Sequence, residues 1–420
     1  MQVFYHDTAK VTEAAIGREV KRLDNYRQYI TEVINNDDDS VPEYSLAVFK
    51  DENMLAEAAR LKKKFSRISH LIVVGIGGSS LGIEAIDAAL DSVDRKVQLH
   101  VLDTISSFRI QKLLKDLRKV RARDVAVCII SKSGNTTETL ANASVLLESL
   151  RNKMGKGIYS QSIFIGNPDT SFLKEAKDIG AETIEMPEIV GGRYSVFTAV
   201  GIIPLTLLGH DIEEILAGFE DSSDSSFEEI SAENAARIYL HAKKGDKICN
   251  FFGFDVRLQK LGFWYRQLFA ESIGKPTTKD GKVLKFGMLP VVTTPVELHS
   301  VAQLYFSKFP DVYTDIVLLE EPDSGINVPD FFSFIPKLSK HSMDEILLGI
   351  YKGVESAYQE SNLPYRSTIL EDESLPYSIG QFMGMRMRET MYVAELMNVN
   401  AFDQPNVELY KKHTKRILNI

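Results

Sequence analysis

The stretch LIVVGIGGSSLGIEAIDAAL, residues 71–90, sets an apolar run directly before a glycine turn and a helical pattern directly after it. A short apolar segment closed by glycine reads as a buried strand, and the next ten residues read as the helix that crosses back over it. Three more apolar runs follow at similar intervals: VQLHVLD (97–103), VAVCIIS (125–131) and QSIFIGN (161–167). Helical segments such as TLANASVLLESL (139–150), with Leu140, Ala143, Leu147 and Leu150 on one face, separate them. Strands alternating with helices predict a parallel sheet covered by crossover helices. The helical run GGRYSVFTAVGIIPLTLLGH (191–210) ends this unit, and the acidic, serine-rich EDSSDSSFEEI from Glu220 reads as a connector or a capped helix start. A second unit then offers strands at KICNFFGF (247–254), MLPVVTT (288–294) and DVYTDIVLL (311–319). Its helical runs are RLQKLGFWYRQLFAES (257–272) and PVELHSVAQLYFSKF (295–309). The fold class is therefore α/β, two αβα sandwiches with parallel-type central sheets. The expected boundaries are 66–210 for the first, 211–420 for the second with its C-terminal helices, and 1–65 as a helical segment packing on the second. The flanks before Phe65 and after His341 are expected to be predominantly helical.

Bulk composition narrows the function. A chain of 420 residues, 44% hydrophobic and 25% charged, has ample material for two or three cores. Its net charge of −9 argues against nucleic-acid binding, which needs a clustered basic surface. Cys128 and Cys249 lie inside apolar runs, the ordinary setting of buried free thiols in a reducing compartment. The N-terminal residues lack the continuous apolar core of a signal peptide, and the apolar stretch after Leu375 is broken by Arg386, Arg388 and Glu389. The expectation is a cytoplasmic protein without a membrane span.

Two turns carry the strongest chemical signals. Gly75-Ile76-Gly77-Gly78-Ser79-Ser80-Leu81-Gly82 presents backbone N–H groups and a positive helix end to an anion or a hydroxyl. A dinucleotide site is the rival, since Asp103 stands about where a ribose-binding acid would. Ser80, however, occupies the third-glycine position of that fingerprint, and a purely structural turn is a further alternative. The second turn, Ser131-Lys132-Ser133-Gly134-Asn135-Thr136-Thr137-Glu138-Thr139, crowds hydroxyls and an ammonium between a strand and a helix, which suits a phosphate monoester. A ligand-free alternative has Asn135 as helix cap answered by Glu138. A third set is scattered: Gly191-Gly192-Arg193-Tyr194-Ser195, Gln267 with Glu271-Ser272-Ile273-Gly274-Lys275, His299, and Gln404 through Lys411. Singly, Arg193 could be a surface ion-pair partner, His299 a satisfied helical histidine, Glu271 a solvated helix end and Lys411 a tail lysine.

Taken together, the ordered blocks GIGGSSLG, SKSGNTTET, GGRYSVFTAVG, QLFAESIGK, LHSVAQ and QPNVELYK closely resemble the glucose-6-phosphate isomerase family in its compact bacterial form, from about Leu71 to Lys411. The resemblance implies a pair of sugar-isomerase domains with the active site between them, in a homodimer that binds a sugar phosphate and needs neither cofactor nor metal. Carried over by position, it implies a phosphate loop at Ser131, Lys132, Ser133 and Thr136, with Ser79 nearby. It also implies a catalytic base at Glu271, an arginine facing the reacting carbons at Arg193 beside Gly192, and substrate-contacting glutamines at Gln267 and Gln404. The ring-opening pair falls on His299, delivered by the neighbouring subunit, and Lys411. Gly134 and Asn135 depart from the family's aromatic or hydroxyl residues, and Asn406 replaces a usual glycine; asparagine tolerates a left-handed backbone better than most residues, so Lys411 is still expected in its family position. A sugar-phosphate sensor would need the phosphate loop but neither Glu271 nor His299. A nicotinamide-dependent dehydrogenase would rest on the first glycine turn alone. No close metal-ligand cluster of the HExxH or CxxC kind is present in the sequence.

Overall fold

In the computed structural model the described residues are all but 9, 308–310, 321–323, 333, 336 and 372–373. The strands among them are, in chain order, β1 (Gln2–His6), β2 (His70–Val74), β3 (Gln98–Leu102), β4 (Val125–Ile130), β5 (Ser162–Gly166), β6 (Glu182–Glu185), β7 (Ile248–Gly253), β8 (Leu289–Thr293), β9 (Val312–Glu320) and β10 (Tyr365–Glu371). They form two five-stranded sheets, ordered β3-β2-β4-β5-β6 and β1-β10-β9-β7-β8. Every pairing in the first sheet is parallel. In the second only the β1–β10 edge is antiparallel. All residues of β4 and β5 are buried, as a parallel strand covered by helices on both faces requires.

The topology locates the site. From β2 the chain places β3 on one side and β4 on the other, so the crevice beyond the C-terminal ends of β2 and β4 is a topological switch point. Both the 75–80 turn and the 131–137 turn open there. The second sheet has the same arrangement around β7, flanked by β8 and β9. The helix Gln259–Ile273 packs on the helix Leu81–Ala89 and so bridges the halves carrying the two sheets.

Several local expectations change. The flanks are not wholly helical, since β1 and β10 come from them and complete the second sheet. β10 was hidden by its composition: in YRSTILE the residues Arg366, Ser367 and Thr368 are buried because partners satisfy them, not because they are apolar. β1 is a partly exposed edge strand, and edge strands carry a weak apolar pattern. The serine-rich segment separates the helices Ile212–Asp221 and Ser225–Lys243. The run 191–210 is a 3-10 turn, Gly192–Tyr194, followed by the helix Ala199–Leu208. The run 295–309 is a 3-10 turn, Pro295–His299, and a short helix, Ala302–Phe306; its residues 308–309 lie outside the described residues. On the helix Thr137–Met154 the buried stripe is Thr139, Asn142, Ala143, Leu146 and Leu150, so of the expected face Leu140 is exposed and Leu147 half-buried. No described helix is long and apolar enough to cross a membrane.

Candidate active site

The site begins with two glycines in contact. A Cβ on Gly78 would lie 2.1 Å from the carbonyl carbon of Gly192, so only bare backbone lets the 75–80 and 191–195 turns touch. Gly77 has φ +61, and a Cβ there would meet Gln267 Nε2 at 2.8 Å. The first glycine turn therefore lies against the second and against the helix Gln259–Ile273. Ser79 ends the small 3-10 turn Gly77–Ser79 at the same place.

Arg193 follows Gly192 and is buried, with 3% exposure. A buried guanidinium is tolerated only when its donors are used, since stranding such a charge costs several kcal/mol. Here Nε donates to Ser272 Oγ at 2.9 Å, and Nη1 donates to Glu271 Oε2 at 3.2 Å and to Gln404 Oε1 at 2.7 Å. Nη2 donates to the carbonyls of Ala401 at 2.5 Å and Asp403 at 3.1 Å. The other Glu271 oxygen, Oε1, accepts from Gln267 Nε2 at 3.0 Å. Gln267 and Glu271 are four residues apart on one helix, which puts them on one face. The Glu271 side chain stays about one-third exposed. A fixed carboxylate with one side open is geometrically able to accept a proton from a bound molecule.

The hydroxyl turn lies beside this cluster. Ser131 is buried and its Oγ donates to Thr136 Oγ1 at 3.3 Å, while Ser133 Oγ donates to Asn135 Oδ1 at 2.6 Å. Asn135 is thus not the helix cap. Thr136 holds that position without a side-chain cap bond, leaving the N-terminus of the helix Thr137–Met154 free of side-chain capping. Gly134 has φ +66, and a Cβ there would lie 2.7 Å from Phe172 Cβ, so neither an aromatic nor a hydroxyl residue would fit. Lys132 is half-buried; burial pulls its ammonium below the ordinary lysine range, Glu188 opposes this and Arg193 adds to it.

The remaining positions do not join the cluster within this chain. His299 is exposed at the end of its 3-10 turn. Lys411 lies on the helix Glu408–Leu418, where its ammonium pairs with Glu408 at 2.7 Å. Asn406 sits in the 3-10 turn Pro405–Val407, not in the left-handed region, and its amide donates to the Gly274 carbonyl at 3.3 Å. A left-handed backbone is therefore absent there.

The phosphoglucose isomerase family profile matches residues 3–305 of the 420, more than half of the chain. The chain belongs to this family. Among curated phosphoglucose isomerases, the glucose-6-phosphate isomerase of Carboxydothermus hydrogenoformans is 30% identical over 380 residues, covering 86% of this chain and 80% of that one. A hypothetical protein from Thermus thermophilus superposes with a TM-score of 0.87 at 27% identity, covering 99% of this chain and all of the other. A glucose-6-phosphate isomerase from Chlamydia trachomatis shares the fold with a TM-score of 0.80 at 19% identity, over 99% of this chain and 88% of that one.

Four residues that complete this cluster in the phosphoglucose isomerase chain were given no role of their own in the sequence reading. Ser272 Oγ joins Arg193 to the Tyr194 hydroxyl at 2.9 Å, the carbonyls of Ala401 and Asp403 take the guanidinium, and Lys275 Nζ donates to the Glu271, Ser272 and Asp403 carbonyls. Ser272 and Lys275 lay inside the ESIGK block, but a serine on a helix and a lysine four residues after a glutamate both resemble surface features.

Proposed function

We propose that this chain interconverts glucose 6-phosphate and fructose 6-phosphate, with Glu271 carrying a proton between C2 and C1. The observation that bears the reading is the Arg193–Glu271 contact, with Gln267 holding the other carboxylate oxygen. Removing a proton next to a carbonyl leaves negative charge on oxygen, which water stabilises poorly. A base and a fixed cation in contact supply both needs, because the guanidinium is already oriented and desolvated when the charge develops. Glu271 would take the C2 proton of the open-chain aldose, Arg193 would stabilise the cis-enediol oxygen, and Glu271 would return the proton to C1. The net change is an internal transfer of hydrogen, so neither a metal nor a redox cofactor enters the scheme. A sensor would have no use for that base.

The phosphate is assigned to the Ser131, Lys132, Ser133 and Thr136 turn, with Ser79 beside it. Hydroxyl donors, a partly desolvated ammonium and an uncapped helix N-terminus favour a dianion. Gln404 fixes Arg193 through the same Nη1 that meets Glu271, and Gln267 Oε1, buried and without a hydrogen-bond partner among the described residues, suits a sugar hydroxyl. Ring opening falls to His299 and Lys411. Because His299 is exposed and has no hydrogen bond to the Arg193–Glu271 cluster among the described residues, it is assigned to the partner's site in a homodimer. Large exposed apolar side chains support such an interface: Val296 and Val301 flank His299, Phe331 and Phe334 follow, and Leu409 and Ile417 lie on the Glu408–Leu418 helix, none of whose residues is buried. A cytoplasmic setting fits the two free, buried cysteines, whose thiols burial pushes up to about 12. The expected domains, 66–210 and 211–420 with 1–65 packed on the second, remain part of this reading, with β1 joining the second sheet.

The reading is tested with Glu271→Gln, which keeps the shape and removes the base. We expect kcat to fall by about 10²–10⁴-fold. Binding of 6-phosphogluconate, followed by calorimetry, should stay within a few-fold of the parent. Retention of more than a tenth of the activity would refute the assignment.

A further inference from the structure

We propose that a cavity at the far end of the first sheet is a second binding site, selective for a compact organic polyanion. It has a volume of about 640 Å³, within the range of small-molecule sites, and none of the catalytic cluster lines it. Ile68, two residues before β2, and Val97, directly before β3, lie in its wall, so it faces the N-terminal strand ends, whereas the catalytic turns leave the C-terminal ends. One five-residue strand, roughly 15–20 Å, separates the two places. The helix Leu81–Ala89 starts at the first glycine turn and ends at this cavity, and the helix Ala199–Leu208 runs there from just beyond the second.

Charge identifies the ligand class. Lys62 and Arg67 reach the cavity from the stretch 62–68 and Lys96 from the turn before β3, and none of the three side chains makes a hydrogen bond or ion pair with a described residue. Arg95 and His210 also line it but are already engaged. Buried Asp87 accepts from Arg95 Nη2 at 2.5 Å and contacts His210 Nε2 at 2.9 Å, and Asp91 lies 3.2 Å from Arg95 Nε. Arg95 against Asp87 and Asp91 leaves one negative charge over, so with Asp94 included the cations around the cavity outnumber the carboxylates by one, His210 being counted neutral. Asp94 is the one carboxylate on the lining itself, and this small positive excess stands in a chain whose overall charge is −9. Phe65, Leu90 and Leu207 supply apolar wall. A ligand with two or more negative charges on a small carbon skeleton matches both features, whether the charge is carboxylate or phosphate.

The test is calorimetric titration with citrate for the carboxylate class and glycerol 2-phosphate for the phosphate class. The protein is the full chain with Ser131, Ser133 and Thr136 all changed to alanine, so that the catalytic turn does not answer. At least one probe should bind with Kd below about 1 mM. Adding Lys62→Glu and Lys96→Glu should weaken it by about tenfold or more. The matched control, Lys174→Glu with Lys177→Glu, two exposed lysines of the helix Ser171–Asp178, should change it by less than about twofold. All chains are first required to share one thermal midpoint. Absence of binding by both probes, or equal weakening in the two charge-reversed chains, overturns the proposal. Because the readout is binding away from Glu271, its failure would leave the isomerase reading untouched, and the reverse holds.

Discussion

Lys275 shows what a single residue does at this site. Its place four residues after Glu271 suggests a surface ion pair, yet Nζ donates to the Glu271 carbonyl at 2.6 Å, the Ser272 carbonyl at 3.1 Å and the Asp403 carbonyl at 2.9 Å. The Asp403 carbonyl also accepts from Arg193. One ammonium and one guanidinium thus staple the last turn of the Gln259–Ile273 helix to the 401–404 segment that carries Gln404. Burial pulls the Lys275 ammonium below the ordinary lysine range and Arg193 acts in the same direction, while Asp403 opposes them. On the proposed reading Lys275 is a positioning residue, since it touches the backbone behind Glu271 and not its carboxylate. Shifting a base by about 1 Å can cost roughly a hundredfold in rate. Lys275→Met should accordingly lower kcat by about 10- to 100-fold with KM within a few-fold of the parent, and Lys275→Arg should restore part of the loss. Steady-state kinetics on glucose 6-phosphate would check this, and an unaltered kcat in Lys275→Met would contradict it.

The helix Gln259–Ile273 is anchored at its other face by a buried charge cluster. Arg366 on β10 donates to Asp315 at 2.8 Å and to Glu389 at 2.6 Å, and Arg386 reaches both carboxylates at 2.7 Å. All four side chains are fully buried. The Tyr265 hydroxyl, on the helix that carries Gln267 and Glu271, donates to Glu389 at 2.9 Å. Two cations face two anions, so the cluster is neutral only while complete. Arg366→Met should destabilise the fold by about 3–5 kcal/mol, seen as a lower urea midpoint, because it strands a buried negative charge. Adding Glu389→Gln should recover part of that loss, and an unchanged midpoint in the single variant would contradict the account. Burial alone would raise the Asp315 carboxyl, but Arg366 and Arg386 outweigh it and hold it below the ordinary carboxylate value. Its stabilisation is therefore present above about 3.8 and is lost as pH falls through the depressed value. This cluster also marks the limit of sequence reading. β2, β4 and β5 were legible because apolar runs declare buried strands, and the glycine and hydroxyl turns because their residues are concentrated. β10 was not, since Arg366 in its centre is core only by virtue of Asp315 and Glu389, and no local pattern announces partners 51 and 23 residues away.

At the scale of the whole molecule, the turns after β2 and β4 and the end of the Gln259–Ile273 helix converge in one chain, while His299 stands apart on a surface rich in exposed apolar side chains. The proposed division of the site between subunits has a quantitative consequence. Chains carrying Glu271→Gln and chains carrying His299→Ala, each nearly inactive, should regain activity when unfolded and refolded together. In an equal mixture half of the dimers are mixed, and one of their two sites is complete, so about a quarter of the parent activity should return. Absence of recovery would place His299 outside the partner's site. The proton path is tested most directly by isomerising glucose 6-phosphate in deuterated water and reading carbon-bound deuterium in the product by NMR. Transfer through Glu271 predicts deuterium at C1 of fructose 6-phosphate with the parent chain and loss of both exchange and turnover with Glu271→Gln. Full turnover without carbon-bound deuterium, or undiminished exchange in the variant, would contradict it.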